Sequence, residues 1–216
     1  MKEILDSIIS FEEELHRNSA IRVVTFDFFN SPAKSEQIDE LQKSGKIEKT
    51  VLDFYCVSDG FEIKWRPVDI SFEEREMFGR VKVNPFQQVV RNWSGVVYFD
   101  DEPENSPRRK FFPLDFFAGE AAVGFCSLEG YRNMMFLYLF EGDLIPLYVN
   151  FENYLKCMLV AKGCLYWQYL IVELISGEEN EMSRRIKEFL PRLFPDFSFQ
   201  TFEKVFSEVR IQPFVS

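Results

Sequence analysis

The sequence predicts an α+β fold: an antiparallel β-sheet meander with helices packed around it, an N-terminal helix and a helical C-terminal extension. Three observations carry this. The apolar segments 121–128, 134–140 and 144–149 are separated only by EGYRN and EGD, and connections that short join antiparallel neighbours. Phe61, Ile63 and Trp65 alternate with Glu62 and Lys64, the period of a half-buried strand. Both ends of the chain instead repeat apolar residues at helical spacing.

Taken in order, residues 2–17 predict a helix with Ile4, Leu5, Ile8, Ile9, Phe11 and Leu15 as its apolar stripe. Residues 21–29 (IRVVTFDFF) are branched and aromatic, which favours a strand. The stretch 30–45 (NSPAKSEQIDELQKSG) reads as a turn, a Ser35 cap and a short helix ending at Gly45, with Ile38 and Leu41 on one face. A second short helix follows over 48–58, turning Val51, Leu52, Phe54 and Tyr55 inward. Gly60 suits the left-handed position that closes a helix, and Asp59 suits the turn through its own side chain.

Residues 67–93 carry weaker signals. SFEEREMFGR (71–80) is compatible with a short helix, and NPFQQVVRNW (84–93) predicts one with Pro85 near its first turn. GVVYFD (95–100) reads as a strand and DEPENSPRR (101–109) as a polar loop. Pro146 places the 144–149 strand at an edge or marks its end. NFENYLKCMLVAKG (150–163) predicts a helix opened by Asn150 and closed by Gly163. The segments 164–177, 180–195 and 199–209 continue as a helical C-terminal region.

Composition narrows the function classes. The chain has 216 residues, 46% hydrophobic and 28% charged, ordinary values for a globular protein, but 25 are phenylalanine. Most of these rings belong in the core, and some suit an exposed groove or a homodimer contact. The net charge of −10 argues against nucleic-acid binding, which needs a basic footprint. It permits attraction to a cationic partner, and acidity for solubility alone is the alternative. Cys56, Cys126, Cys157 and Cys164 form no C-x-x-C pair and sit among apolar residues, so reduced, buried thiols are expected. The start lacks the basic end and unbroken apolar run of a signal peptide, and residues 165–175 are broken by Gln168 and Glu173. A cytoplasmic protein without membrane contact is the expectation.

No catalytic constellation stands out. His16, the single histidine, lies among Glu12, Glu13 and Glu14 as a surface residue, which leaves no base for a histidine-dependent triad. Walker and G-x-G-x-x-G motifs are missing, and the cysteines lack zinc-ligand spacing. The densest acidic run is FDDEPENSP, with Asp100, Asp101, Glu102 and Glu104. As a calcium loop it lacks the glycine at position six and has Phe111 where a bidentate glutamate belongs. These four carboxylates suit either a solvated loop or a docking surface for a basic partner. Arg108 to Lys110 would balance the acids rather than bind phosphate. No catalytic, cofactor-binding or metal-binding residue is assigned.

The run SPAKSEQIDELQKSGKIEKTVLDFYCVSDGFEIKW resembles the opening of a SUKH-superfamily domain, the group containing bacterial immunity proteins and a yeast cell-wall-synthesis regulator. Ile38, Leu41, Leu52, Phe54, Tyr55, Asp59, Gly60, Ile63 and Trp65 occupy the pattern's apolar and turn positions. RKFFPLDFFAGEAAVGF resembles its phenylalanine–proline strand region. LIPLYVNFENYLKCMLVAKGCLYW resembles its closing strand and helix, with Phe151 and Tyr154 at the aromatic places. The resemblance spans residues 31–167, which sets 1–30 apart as an N-terminal helix and strand and 168–216 as a helical extension. It implies binding without catalysis: first an immunity protein that neutralises a cognate toxin such as a basic nuclease, second an intracellular scaffold or regulatory module. An enzyme of unrecognised class is the third reading.

Overall fold

The computed structural model describes residues 2–28, 32–33, 38, 47–69, 76–127, 133–140 and 142–211. The expected helix over 35–45 lies outside these residues, Ile38 apart. The described elements are α1 (Lys2–Arg17), β1 (Ile21–Phe28), α2 (Lys49–Tyr55), β2 (Phe61–Pro67), β3 (Gly79–Val83), α3 (Phe86–Val89) and a 3-10 turn (Pro107–Lys110). They continue with β4 (Phe111–Ala118), β5 (Ala121–Cys126), β6 (Met135–Leu139), β7 (Leu144–Pro146), α4 (Phe151–Val160), α5 (Gln168–Ser176), α6 (Glu181–Leu193) and α7 (Phe199–Val209). The seven strands form one antiparallel sheet in chain order, from β1 to β7, so the α+β meander is present. Among the described residues no helix is long and apolar enough to cross a membrane.

The chain divides into two compact units. The first comprises Met1–Asp27, Glu62–Val81 and Glu152–Arg210. Here α1 buries Ile4, Leu5, Ile8, Phe11 and Leu15, whereas Ile9 is 49% exposed and stands outside the stripe. Trp65 is fully buried, donates from its indole N–H to the Lys162 carbonyl at 2.7 Å and meets Phe194 edge-on at 5.2 Å. Gly79 makes room for that indole, because a Cβ there would lie 1.9 Å from the indole nitrogen. Lys162, at φ 55°, is tied through its ammonium to Glu14 at 2.7 Å and Asp196 at 2.6 Å. Helices α6 and α7 begin at side-chain caps: Asn180 accepts from Ser183 N–H at 2.8 Å and Ser198 from Thr201 N–H at 3.1 Å. Such caps satisfy amide donors that a helix start leaves open.

The second unit comprises Phe28–Phe61, Lys82–Phe151 and Ile211–Ser216. In α2, Glu48 caps the first turn by accepting from Thr50 N–H at 3.1 Å. The Phe54 ring meets Tyr55, Phe61 and Phe151 edge-on at 5.2, 6.1 and 5.3 Å, a geometry in which a ring edge faces a π-cloud. The Tyr55 hydroxyl donates to the Asn84 carbonyl at 2.6 Å, and burial together with the Asp59 charge holds its pKa well above the ordinary phenol value. Strands β4, β5 and β6 pair closely, with Phe111 opposite Cys126 and Val123 opposite Leu137. The three-residue β7 ends the sheet at Pro146, as its proline predicts.

Several local expectations are corrected. The helix α2 closes at Cys56 in a right-handed conformation, so Gly60 is not its stop. Gly60 (φ 109°) instead permits close approach of the chain at Val83, whose carbonyl would lie 2.4 Å from a Cβ. Asp59 reaches forward and accepts from Phe86 N–H at 2.7 Å, the start of α3. Cys56, the C-cap of α2, is exposed, against the expectation of a buried thiol; Cys126, Cys157 and Cys164 are buried. Within 71–80, Glu76 is a turn and Gly79 and Arg80 begin β3; residues 71–75 lie outside the described residues. The helix expected over 84–93 is reduced to Phe86–Val89.

The expected strand over 95–100 is absent. Val96 and Val97 donate to the Trp93 carbonyl at 3.1 and 2.9 Å, which closes a turn, and the segment retains one bridge between Ser94 and Tyr98.

Candidate functional site

The four acidic candidates lie on the connection between α3 and β4, and the residues beneath it form a core of their own. Trp93, Val97, Phe111, Cys126, Met134, Phe136 and Tyr138 are buried against each other, with Tyr98, Phe116 and Leu144 packed partly against them. Trp93 stacks on Phe116 at 5.9 Å, and Phe111 meets Tyr138 edge-on at 5.6 Å. The Tyr138 hydroxyl donates to the Val97 carbonyl at 3.0 Å. This pins the connection to β6 at a point where β-sheet pairing would otherwise satisfy the carbonyl.

Arg109 holds the acidic segment from inside. Its guanidinium donates from Nε to the Glu102 carbonyl at 3.0 Å and from Nη2 to the carbonyls of Phe99 and Asp100 at 3.0 and 3.1 Å. The same group lies 4.9 Å from the centre of the Tyr98 ring, within range of a cation–π contact. Consecutive turns complete the loop: Glu102 N–H to the Phe99 carbonyl, Ser106 N–H to that of Pro103, and Arg109 N–H to that of Ser106. Phe99 stands at the loop surface with 55% exposure.

The four carboxylates therefore divide. Glu102, whose side chain is 17% exposed, faces inward: it accepts from the Ser106 hydroxyl at 2.6 Å and pairs with Arg108 at 3.4 Å. The Ser106 hydrogen bond, followed by the Arg108 charge, outweighs desolvation and holds its carboxyl below the ordinary value. Asp100 is exposed but accepts from the Ser94 hydroxyl at 3.1 Å. Asp101 and Glu104 are exposed and make no hydrogen bond or ion pair among the described residues. The expected neutralisation of the acids by 108–110 thus holds for Arg108, while Arg109 serves backbone carbonyls instead.

A cavity of about 500 Å³ opens beside this loop, lined by Glu102, Ser106, Pro107, Arg108, Cys126, Phe136, Asp143, Leu144 and Pro146. Its apolar surface comes from the ends of β5, β6 and β7 and from Pro107; its polar wall is the Glu102–Ser106–Arg108 cluster. Glu102 belongs both to the acidic loop and to the cavity, so the two are continuous.

His16 lies 3.9 Å from Glu12 on the exposed side of α1. Burial pushes the thiols of Cys157 and Cys164 up to about 12, so both remain protonated at neutral pH. Among the described residues no three His, Cys, Asp or Glu side chains gather to hold a metal ion.

Sequence reasoning found the acidic run and set Arg109 among the residues balancing it, but found neither the contacts Arg109 makes, nor the exposure of Phe99, nor the cavity. Phe99 had a signal, an aromatic residue immediately before charged loop residues. The role of Arg109 had none, since its acceptors are backbone carbonyls. Comparison with protein-family models, with curated proteins and with solved structures finds no match to this chain.

Proposed function

We propose that the chain is a non-enzymatic protein-binding module, and specifically an immunity protein that binds and neutralises a basic toxin, a nuclease being the leading class. The observation that carries this reading is the organised acidic loop. Arg109 ties three of its carbonyls, while Phe99, Asp101 and Glu104 remain directed to solvent or free of partners. A prearranged loop loses little conformational entropy on association. An exposed aromatic ring supplies apolar contact area, and adjacent free carboxylates attract a cationic surface. The similarity to SUKH sequences supports the same class of function, and the net charge of −10 favours a basic counterpart. The reading places the protein in the cytoplasm, where cysteines kept as thiols suit a reducing compartment.

The test is to co-purify the chain with the product of the adjacent gene and measure that product's activity against added chain. Inhibition that saturates at a fixed stoichiometry supports the reading. No complex at about micromolar concentrations, or recovery of several housekeeping proteins with no toxin neighbour, overturns it; the latter result identifies a scaffold.

A further inference from the structure

We infer that the cavity beside the acidic loop is an anchor pocket for one apolar side chain of the partner, aromatic or long aliphatic, carried next to a lysine or arginine. The inference rests on the protein-binding reading and assigns that surface a second contact. The apolar lining is supplied by Phe136, Cys126, Leu144 and the two prolines. Apolar surface of this kind is stabilised by a ring or alkyl chain that displaces water from it.

The charged lining sets the charge of the occupant. Of its three ionic residues, Glu102 and Arg108 pair at 3.4 Å, leaving Asp143 exposed and without an ion pair among the described residues. Asp101 and Glu104 extend the same sign along the adjoining loop. A basic residue flanking the apolar anchor meets this unpaired charge, whereas an acidic flank meets repulsion. The cavity volume of about 500 Å³ exceeds that of a solvation site and suits a bulky side chain with part of its backbone.

Three peptides separate the two requirements: acetyl-Lys-Phe-Lys-amide, acetyl-Glu-Phe-Glu-amide and acetyl-Lys-Ala-Lys-amide. Each is titrated to about 5 mM into the full ¹⁵N-labelled chain, following the amides of Ser106, Arg108 and Leu144, with those of α7 as reference. The first peptide is expected to give saturable shifts confined to the cavity, and the other two to bind at least about fivefold more weakly. Leu144→Trp, which fills the cavity from the edge strand, is expected to abolish the response. Asp143→Asn, at an exposed position, is expected to weaken it about threefold and tests the charge requirement should Leu144→Trp not fold.

Equal binding of all three peptides, no saturable response to the first, or an unchanged response in the folded Leu144→Trp chain overturns the pocket. Asp143→Asn binding as tightly as the parent overturns the basic flank. The peptide assay needs no toxin, so a failed pocket leaves a toxin complex intact, while a failed immunity reading leaves peptide binding intact.

Discussion

Arg109 organises the candidate docking loop. It makes three charge-assisted hydrogen bonds to carbonyls at 3.0, 3.0 and 3.1 Å and also faces Tyr98. Hydrogen bonds from a charged donor each contribute more than neutral ones, and losing them leaves carbonyls to water or to strain. Arg109→Ala is therefore expected to cost about 1–2 kcal/mol and to raise amide exchange at Glu102 and Ser106 more than in α7. Unchanged exchange in that segment would remove Arg109 as its organiser. Glu102 makes a second prediction through its titration. Its folded pKa lies below the ordinary value of 4.5, so between the two values the unfolded chain binds more protons. Glu102 thus contributes stability above the ordinary range, and the contribution is withdrawn as pH falls below 4.5 through the depressed pKa. Acid titration should loosen the 102–108 segment in that window for the parent and not for Glu102→Gln. The same acid response in both chains would contradict the assignment.

Among the elements, the connection at Gly60 is constrained both by its dihedral angle and by a close backbone neighbour. At φ 109° an alanine is strained, and its Cβ would lie 2.4 Å from the Val83 carbonyl. Gly60→Ala is expected to cost about 2–4 kcal/mol in urea denaturation. Gly119→Ala, where a Cβ meets nothing within 4 Å, should lie within about 0.5 kcal/mol of the parent; similar losses at both positions would refute the steric account. The sequence already identified Gly60 as special but assigned the wrong cause, because the Val83 carbonyl comes from a distant strand. Helices α1, α6 and α7 and strands β5, β6 and β7 were legible through periodicity and short turns. Strand β3 had the right alternation, Val81 and Val83 buried between Arg80 and Lys82, but followed an acid-rich stretch that favours helix. Strand β4 lacks alternation, and its Pro113 argues against an interior strand; the sheet accommodates it with register shifts on either side of Asp115. Conversely, GVVYFD has strand-forming residues, yet the Trp93 carbonyl claims two of its amides. A local turn, closed by hydrogen bonds spanning three and four residues, displaced the strand there.

Across the molecule, 35 acidic and 25 basic residues create a negative field that acts before any contact forms. The acidic loop adds short-range groups to that field: Asp101 and Glu104 are free charges, while Phe99 supplies exposed apolar area. These contributions enter different rate constants. Free carboxylates steer encounter, so their effect belongs mainly to association and weakens as salt shortens the Debye length to about 8 Å. A ring buried on docking is re-exposed during separation, so its effect belongs mainly to dissociation. With the basic toxin proposed as partner, Asp101→Asn combined with Glu104→Gln is expected to slow association about three- to tenfold at low salt, leave dissociation nearly unchanged and flatten the salt dependence. Phe99→Ala should speed dissociation about tenfold with little change in association. Stopped-flow mixing across ionic strengths separates the two. Neutralisation that leaves association and its salt slope unchanged would exclude this loop from the interface, even if inhibition persisted. A Phe99→Ala effect confined to association would instead assign the ring to loop organisation rather than contact.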